Sequence, residues 1–594
     1  MIEAKRLFDC LRYHLEKPPL EDMLAAKENG QWRKYSTREV FDTVNDLSAG
    51  LINMGIGAND KTLDGRDKVA VMANNRPEWI MLDMACQQIG AMLVPIYPTI
   101  SVNELEFVLN DASVKLAFVH DQNQYEKVQD LLGNIPSLKQ VFTFDKVNGA
   151  NYWKEILALS TPATLAEVEK IAATIQKDDV ATIIYTSGTT GKPKGVMLTH
   201  GNIISNVEDS VVCLPENVTR GLSFLPLNHI YERMMSYLYL FTGISIYYAQ
   251  SLEHIGENLL EVKPQIFTTV PRLLEKVYDK IMSKGMELTG VKKKLFYWAH
   301  DLATKFEINK SQSIGYRMQL ALANKIVFSK WREGLGGEIR CVVSGGAACQ
   351  VRLIRIFTAA RIPIFEGYGL TETSPVIAVN RFKIEDRKFG TVGPLLDHVE
   401  VKIAEDGEIL CKGPNVMIGY YKQPELTQEV LNDGWYSTGD IGMFVDGRYL
   451  KITDRKKELF KTSGGKYVAP LPIENKLKES IYVEQAMVVG AEKKFTGALI
   501  VPSFPNLKEW LRKQNIPFTT KEEVLRLPAV QHLYKEMVES FNTFFSHVEQ
   551  VKRFELLPDE WSVETGEMTP KLSLKRKVIL EKYRNSINRI YHED

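Results

Sequence analysis

The stretch YTSGTTGKPKGVMLTH, residues 185–200, decides how this chain is read. It follows directly on Ala181, Thr182, Ile183 and Ile184, a short apolar run of the kind that forms a buried strand. It holds two Ser/Thr pairs, three glycines and two lysines. The backbone N–H groups and hydroxyls of such a loop can wrap phosphates, and a lysine can neutralise their charge. A Walker A loop needs G-x-x-x-x-G-K-[ST]. Here Pro193 stands five residues after Gly188, and Lys192 precedes that proline, so the template fails. A solvent-exposed turn explains one Gly-Lys-Pro but not TSGTTG fixed to a strand. A phosphate-facing loop of another kind is expected.

The rest of the chain sets limits. Its 594 residues are too many for one core, so two or three domains are expected. Apolar residues make up 44% and charged residues 25%, the profile of a soluble globular protein. Lys+Arg and Asp+Glu both number 74, so no global basic field argues for nucleic acid. A local basic patch on a membrane-facing surface stays open. The first residues lack the apolar stretch of a signal peptide, and no run reaches the roughly 18 apolar residues of a span. The expectation is a cytoplasmic protein, with peripheral attachment to the inner face of a membrane left open. Cys10, Cys86, Cys213, Cys341, Cys349 and Cys411 form no C-x-x-C pair and read as reduced, buried thiols.

Strand-like runs at 69–73, 115–119, 141–144, 181–185 and 340–343 alternate with helix-like stretches at 77–90 and 102–110. That alternation predicts an α/β class with largely parallel sheets. Residues 274–331 carry leucines, alanines and lysines at helical spacing and predict a helical pair or lid. From about Gly393, short glycine-punctuated segments such as GEILCKGPNVMIGYY and DGRYLKITDR predict antiparallel β structure. Beyond Lys457 comes a smaller α/β unit. IENKLKES reads as a helix, QAMVVGA and GALIVPS as a strand pair, and 524–547 as helix.

The loop has co-linear company. EGYGLTET (366–373), WYSTGD (435–440) and DRKKELFKTSGGKYVAP (454–470) come after it in order. With these four motifs the chain resembles the adenylate-forming superfamily over almost its whole length. LSFLPLNHIYER (222–233) and TTVPRLLEKVYDKI (268–281) look like its long-chain acyl-CoA synthetase branch. The resemblance implies a large N-terminal domain, residues 1–455, of two α/β subdomains plus a small β-barrel. It implies a mobile, smaller α+β C-terminal domain, residues 456–594. The implied reaction converts a long-chain fatty acid and ATP to acyl-AMP with loss of pyrophosphate, then to acyl-CoA. ATP, Mg²⁺ and coenzyme A are the implied cofactors and co-substrates. A homodimer stays open.

The same resemblance implies residue roles. Thr186, Ser187, Gly188, Thr189, Thr190 and Gly191 hold phosphates with Lys194 beside them. Gly345 and Gly346, in the SGGA run, line the adenine pocket, and Tyr368 packs its ring on adenine beside Gly369. Thr371 contacts the α-phosphate, and Glu372 binds Mg²⁺ together with Thr186. Asp440 accepts from the ribose hydroxyls, and Arg455 reaches ribose or phosphate. His229 closes over the acyl carboxylate, and the acyl chain enters a tunnel lined in part by 231–248. Asp454 and Lys457 form the hinge. Lys461, Gly464 and Gly465 face the CoA tunnel in a second pose, where small residues leave room for the pantetheine arm. Bland readings stand beside these: a core tyrosine for Tyr368, a cap partner for Glu372, a turn aspartate for Asp440 and a structural histidine for His229.

One place departs from the branch's pattern, in which a C-terminal lysine reaches the carboxylate and α-phosphate. The sequence here is GEMTPKLSLKRKVI (566–579), with Ser573 where that lysine is expected. Lys571, two residues earlier, keeps the same face of an extended segment. Lys575 is the competitor, and the run SLKRKVILEKY reads as helical and would turn it away. A solvated basic cluster is the bland reading. Three other functions stay open: a ligase loading a carrier protein, a CoA ligase for another acid, and a degenerate acyl or nucleotide sensor. The first usually carries an insertion after WYSTGD, whereas 440–454 is short here.

Overall fold

The computed structural model describes residues 4–57, 60, 62–186, 193–569 and 574–592. Ser187, Gly188, Thr189, Thr190, Gly191 and Lys571 therefore lie outside the described residues.

Two eight-stranded sheets carry the large domain. In the first, Val180–Thr186, Met92–Pro95, Lys68–Met72, Leu116–Val119, Gln140–Thr143 and Asn151–Tyr152 run parallel. Lys194–Thr199 then adds antiparallel to Val180–Thr186, and Gly419–Tyr420 adds antiparallel to that. In the second, Ile364–Gly369, Cys341–Ser344, Ile266–Thr269, Arg220–Ser223, Ser245–Tyr248 and Leu24–Glu28 run parallel between two antiparallel edges. The alternation of apolar runs and helices thus gives the expected parallel sheets. The N-terminal hairpin joins the second sheet rather than the first, a pairing across more than two hundred residues that local pattern does not encode.

One core lies between the sheets and joins them. Its polar heart is an ion pair. Arg233 Nε donates to Asp83 Oδ2 at 2.8 Å, Arg233 Nη1 to Thr182 Oγ1 at 2.8 Å, and Tyr237 to Asp83 at 2.6 Å, all fully buried. Removing one partner of such a pair costs about 3–5 kcal/mol. The network pins helix Ile230–Thr242 to the first sheet.

The helical region after residue 270 is larger than a pair. Pro271–Glu287, Gly290–Thr304, Ile314–Ala323 and Ser329–Glu333 cover the outer face of the second sheet, with a π-turn at Asn324–Phe328. The antiparallel unit after Gly393, expected as a small barrel, forms a five-stranded antiparallel sheet. Its long hairpin, Trp435–Val445 with Tyr449–Arg455, ends the large domain's strands at Arg455.

Beyond it, Val483–Val489 and Thr496–Pro502 pair antiparallel as expected, and Val551–Leu556 adds a third, parallel strand that the sequence reading missed. Two separate apolar cores belong to this unit alone. All six cysteines are free and buried.

Candidate active site

Strand Val180–Thr186 enters the motif and strand Lys194–Thr199 leaves it, and the two run antiparallel. Thr186 pairs with Lys194, and Tyr185 with Gly195. A Walker loop leads into a helix instead, which is why that template fits badly. The helix comes only after the second strand, at His200–Ser210, where Thr199 caps it through Asn202 N–H at 3.1 Å.

That helix positions the segment 414–420. Asn202 Nδ2 donates to the carbonyls of Pro414 and Val416 at 2.8 and 3.0 Å. The segment is held from the other side too. Met417 N–H donates to Glu372 O at 2.8 Å, and Asn415 Nδ2 to Thr373 O at 2.9 Å. Tyr420 then pairs with Val196, and Tyr421 N–H donates to Gly195 O at 2.7 Å. Residues far apart in sequence are thereby stitched around one hydroxyl. Lys194 Nζ donates to Tyr420 OH at 3.1 Å and sits 4.3 Å above its ring centroid. Tyr420 OH donates to Glu372 Oε1 at 2.9 Å. Burial lowers the Lys194 pKa, Glu372 opposes that, and Lys457 adds to it, so Lys457 stands near Lys194.

A second cluster lies alongside. Trp435–Val445 alternates half-buried and buried residues, so Tyr436, Thr438 and Asp440 share its inner face. Asp440 accepts from Tyr368 OH at 2.8 Å and lies 3.4 Å from Arg455 Nε. Arg455 is Asp440's cross-strand partner in the hairpin, and its side chain is exposed. Burial raises the Asp440 pKa, and Arg455 pulls it back. Tyr368 itself is half-buried on Ile364–Gly369, and Thr371 and Glu372 lie buried in the one-turn helix Thr371–Thr373 just after it. Gly369 is required there, because a Cβ would come within 1.9 Å of Pro375 O. Asp440 also feels the charge of Glu372, so the clusters form one electrostatic site.

Gly345 and Gly346 come directly after strand Cys341–Ser344. The Tyr231 ring lies against Gly345, 3.2 Å from where a Cβ would be, and its hydroxyl donates to Val343 O at 3.0 Å. Gly346 takes φ +80°, a conformation that suits glycine. His229 is the N-cap of Ile230–Thr242, its Nδ1 accepting from Tyr231 N–H at 3.0 Å. The preceding Asn228 Nδ2 donates to Ile96 O at 2.6 Å and fixes that turn to the first sheet.

Asp454 is buried, accepts from Leu471 N–H at 3.2 Å, and has its pKa pushed up to about 6 by that burial. Lys456 and Lys457 lie in the turn after Arg455, whose carbonyl accepts from Glu458 N–H at 2.9 Å. Lys461, Gly464 and Gly465 are not brought to the site in this pose. They lie exposed on the ribbon Phe460–Lys461 with Tyr467–Val468, Lys461 stacked 4.7 Å over Tyr467. Lys575 is exposed at the N-cap of helix Arg576–Lys582, its N–H donating to Glu567 O at 2.7 Å.

Sequence reasoning missed Tyr420 and Tyr436. Tyr436 was legible in the alternation of WYSTGD, which sets it on Asp440's face. Tyr420 had no local signal, standing 226 residues from Lys194.

Among the described residues no group of three or more His, Cys, Asp or Glu is gathered. The donor set still suits Mg²⁺, which takes one or two carboxylates and completes its shell with water and substrate phosphates. Glu372, joined to Lys194 through the Tyr420 hydroxyl, supplies one such carboxylate.

Family comparison agrees with the geometry. A model described as AMP-binding enzyme matches residues 11–421, and one for the AMP-binding enzyme C-terminal domain matches 458–594. The long-chain-fatty-acid–CoA ligase FadD15 of Mycobacterium tuberculosis is 33% identical over 575 residues, 95% of this chain and 94% of that one. Long chain acyl-CoA synthetase 3 of Arabidopsis thaliana is 31% identical over 99% of this chain and 92% of its own. In fold, the adenylation domain of a carboxylate reductase from Mycobacterium chelonae superposes with TM-score 0.75 at 21% identity, covering 100% of this chain and 92% of that one. With both domain models matched and relatives aligned along nearly its whole length, the chain belongs to the AMP-binding, adenylate-forming enzymes.

Proposed function

We propose that this enzyme joins a long-chain fatty acid to coenzyme A in two steps at the site built around Lys194, Glu372 and Asp440. The observation that carries the reading is the Lys194–Tyr420–Glu372 chain of contacts beside Tyr368, Asp440 and Arg455. In the first step a carboxylate oxygen attacks the α-phosphorus of ATP, and pyrophosphate leaves. In the second, the CoA thiolate attacks the acyl carbon, and AMP leaves. Both steps gather negative charge, so preorganised donors and cations supply most of the catalysis.

Lys194 and the hydroxyl- and glycine-rich residues 186–191 bind the β- and γ-phosphates. Glu372, with Thr186, would hold Mg²⁺, which would supply charge neutralisation at the phosphates. Asp440 accepts both ribose hydroxyls, Tyr368 covers adenine, and Arg455 reaches ribose or phosphate. Gly345 and Gly346 line the adenine pocket, and His229 sits at the acyl end. A metal-binding carboxylate next to a phosphate-binding ammonium favours this over a degenerate sensor, which needs neither. Pyrophosphate release from palmitate and ATP, with and without CoA, tests the reading. Release that needs no CoA, followed by acyl-CoA only when CoA is added, is expected. No release with any fatty acid overturns it.

Tyr420 is the positioning residue of this site. Hydrogen bonds to charged groups contribute about 1.5–3 kcal/mol, so Tyr420→Phe is expected to lower kcat/KM for ATP about tenfold to a hundredfold. The aromatic ring stays, so folding should not change. An unaltered kcat/KM would remove the hydroxyl from the mechanism.

The division at 455/456 and the hinge belong to the same proposal. The glycine ribbon 461–467 faces solvent here, as a pose for the first step requires, and must swing inward for the second. A proline at 457 fixes φ at about −65° and restricts rotation at that position. Lys457→Pro is expected to retain acyl-AMP formation and to lose thioester formation. Equal slowing of both halves, with an unchanged circular dichroism spectrum, would put the pivot elsewhere.

The fatty acid partitions into bilayers, and the chain is proposed to work at a membrane surface without spanning it. No helix among the described residues is long and apolar enough to cross one. Homodimer formation is the remaining open proposal, read by mass in solution.

A further inference from the structure

Helix Ile314–Ala323 buries little of itself. Ala323 is its one buried residue, with Tyr316 and Leu320 half-buried beneath it. Its outer face is nevertheless apolar. Ile314, Met318 and Leu322 are 77%, 69% and 52% exposed, and Ile326 continues the row at 41% into the π-turn. A spacing of four residues keeps these side chains on one stripe. Water would favour polar residues there. Scattered exposed apolar residues need no explanation, but a contiguous stripe does.

The stripe has basic company. The packed neighbour Gly290–Thr304 exposes Val291 at 71% beside the triplet Lys292, Lys293 and Lys294. Between residues 284 and 330 there are nine Lys or Arg against three Asp or Glu, in a chain whose totals are equal. Two of those three acids are already matched, Asp301 by Lys305 and Glu307 by Arg355. No ion pair among the described residues engages Lys292, Lys294, Arg317 or Lys325. An apolar stripe bordered by lysines suits one partner chemistry, an anionic lipid bilayer. Met, Leu and Ile would enter the headgroup boundary while the ammonium groups meet lipid phosphates.

We infer that the face formed by Ile314, Met318, Leu322 and Ile326, with the Lys292–Lys294 triplet, docks this enzyme on an anionic bilayer. The inference rests on the proposed membrane contact and gives it a surface. Every residue in it is exposed, so substitutions should leave the fold intact.

The test is co-sedimentation with vesicles of phosphatidylcholine alone and with added phosphatidylglycerol. The unaltered protein is expected to bind the anionic vesicles, and less so as salt rises. Met318→Asp with Leu322→Asp, and separately Lys292→Glu with Lys293→Glu and Lys294→Glu, should each weaken binding about tenfold or more. Both variants should form octanoyl-CoA from dissolved octanoate at the unaltered rate. Unchanged vesicle binding in both variants overturns the inference, as does failure of the unaltered protein to bind. So does a dimer in solution that the Met318→Asp/Leu322→Asp variant splits, because the stripe would then be covered by a second copy. Vesicle binding that depends on this face in a protein making no acyl-CoA would sink the ligase reading and leave the docking surface standing.

Discussion

Lys194→Ala is expected to lower acyl-AMP formation by on the order of 10²–10³, the loss seen when one donor aimed at developing charge is removed. The lysine is half-buried against the Tyr420 ring and feels the Glu372 carboxylate, and its burial lowers its pKa. Removing it strips Glu372 of that cation's charge and leaves the phosphates with one counter-charge fewer. The lowered pKa gives the prediction a second arm. Activity needs the ammonium form, so kcat/KM for ATP should fall as pH rises through the lysine's pKa. Lys194→Arg carries a charge that persists at all accessible pH. It should recover part of the activity and move the alkaline limb of the profile upward. Pyrophosphate release across pH, for the three proteins, reads all of this. An Ala variant with unaltered kcat/KM would remove Lys194 from phosphate binding. An Arg variant that keeps the original alkaline limb would assign that limb to another group.

The contrast between Lys194 and Tyr420 shows what the chain's sequence could disclose. The strand at 181–185 and the loop after it were legible because their signal is local, an apolar run followed by small polar residues; the second strand, Lys194–Thr199, was not read. Asp440 and Arg455 were named through the family motifs that hold them, and the hairpin that pairs them is what the structure adds. Tyr420 reaches Lys194 through a two-residue edge strand and a backbone bond from Met417 to the Glu372 turn, neither of which has a period to read. The strand Val551–Leu556 was lost differently. It reads VKRFEL, a short and charged segment at a sheet edge, where exposure on one side masks the strand pattern. The helices after residue 270 were seen as helical, but their number depends on breaks at Leu288 and Ser313, which composition alone did not mark.

Lys571→Ala is expected to abolish acyl-AMP formation from fatty acid and ATP while sparing thioester formation from preformed acyl-AMP and CoA. The asymmetry comes from charge. A cation at the carboxylate and α-phosphate is needed while pyrophosphate departs, and that stage is past once acyl-AMP exists. Lys571 lies outside the described residues, but its flanks are fixed. Met568 and Leu574 form an antiparallel bridge. Arg576 is held by Glu474, and Arg576 Nη2 donates to Val488 O at 2.6 Å. Glu458 feels Arg576, Arg455 and Asp440 together, so this flank approaches the nucleotide site. Lys575, the competitor, caps helix Arg576–Lys582 with its backbone bonded to Glu567. A helix cap cannot extend toward a substrate without unwinding the turn it starts, and that limits how far the Lys575 ammonium can reach. Lys575→Ala should therefore leave both half-reactions near their starting rates, with a small loss of helix stability at most. Both variants, assayed in both halves, decide between the two lysines. If Lys575→Ala loses the first half-reaction and Lys571→Ala does not, the helix must open during catalysis and the assignment to Lys571 is wrong. If neither loses it, the cation comes from elsewhere, and Lys457, already near Lys194, becomes the residue to test.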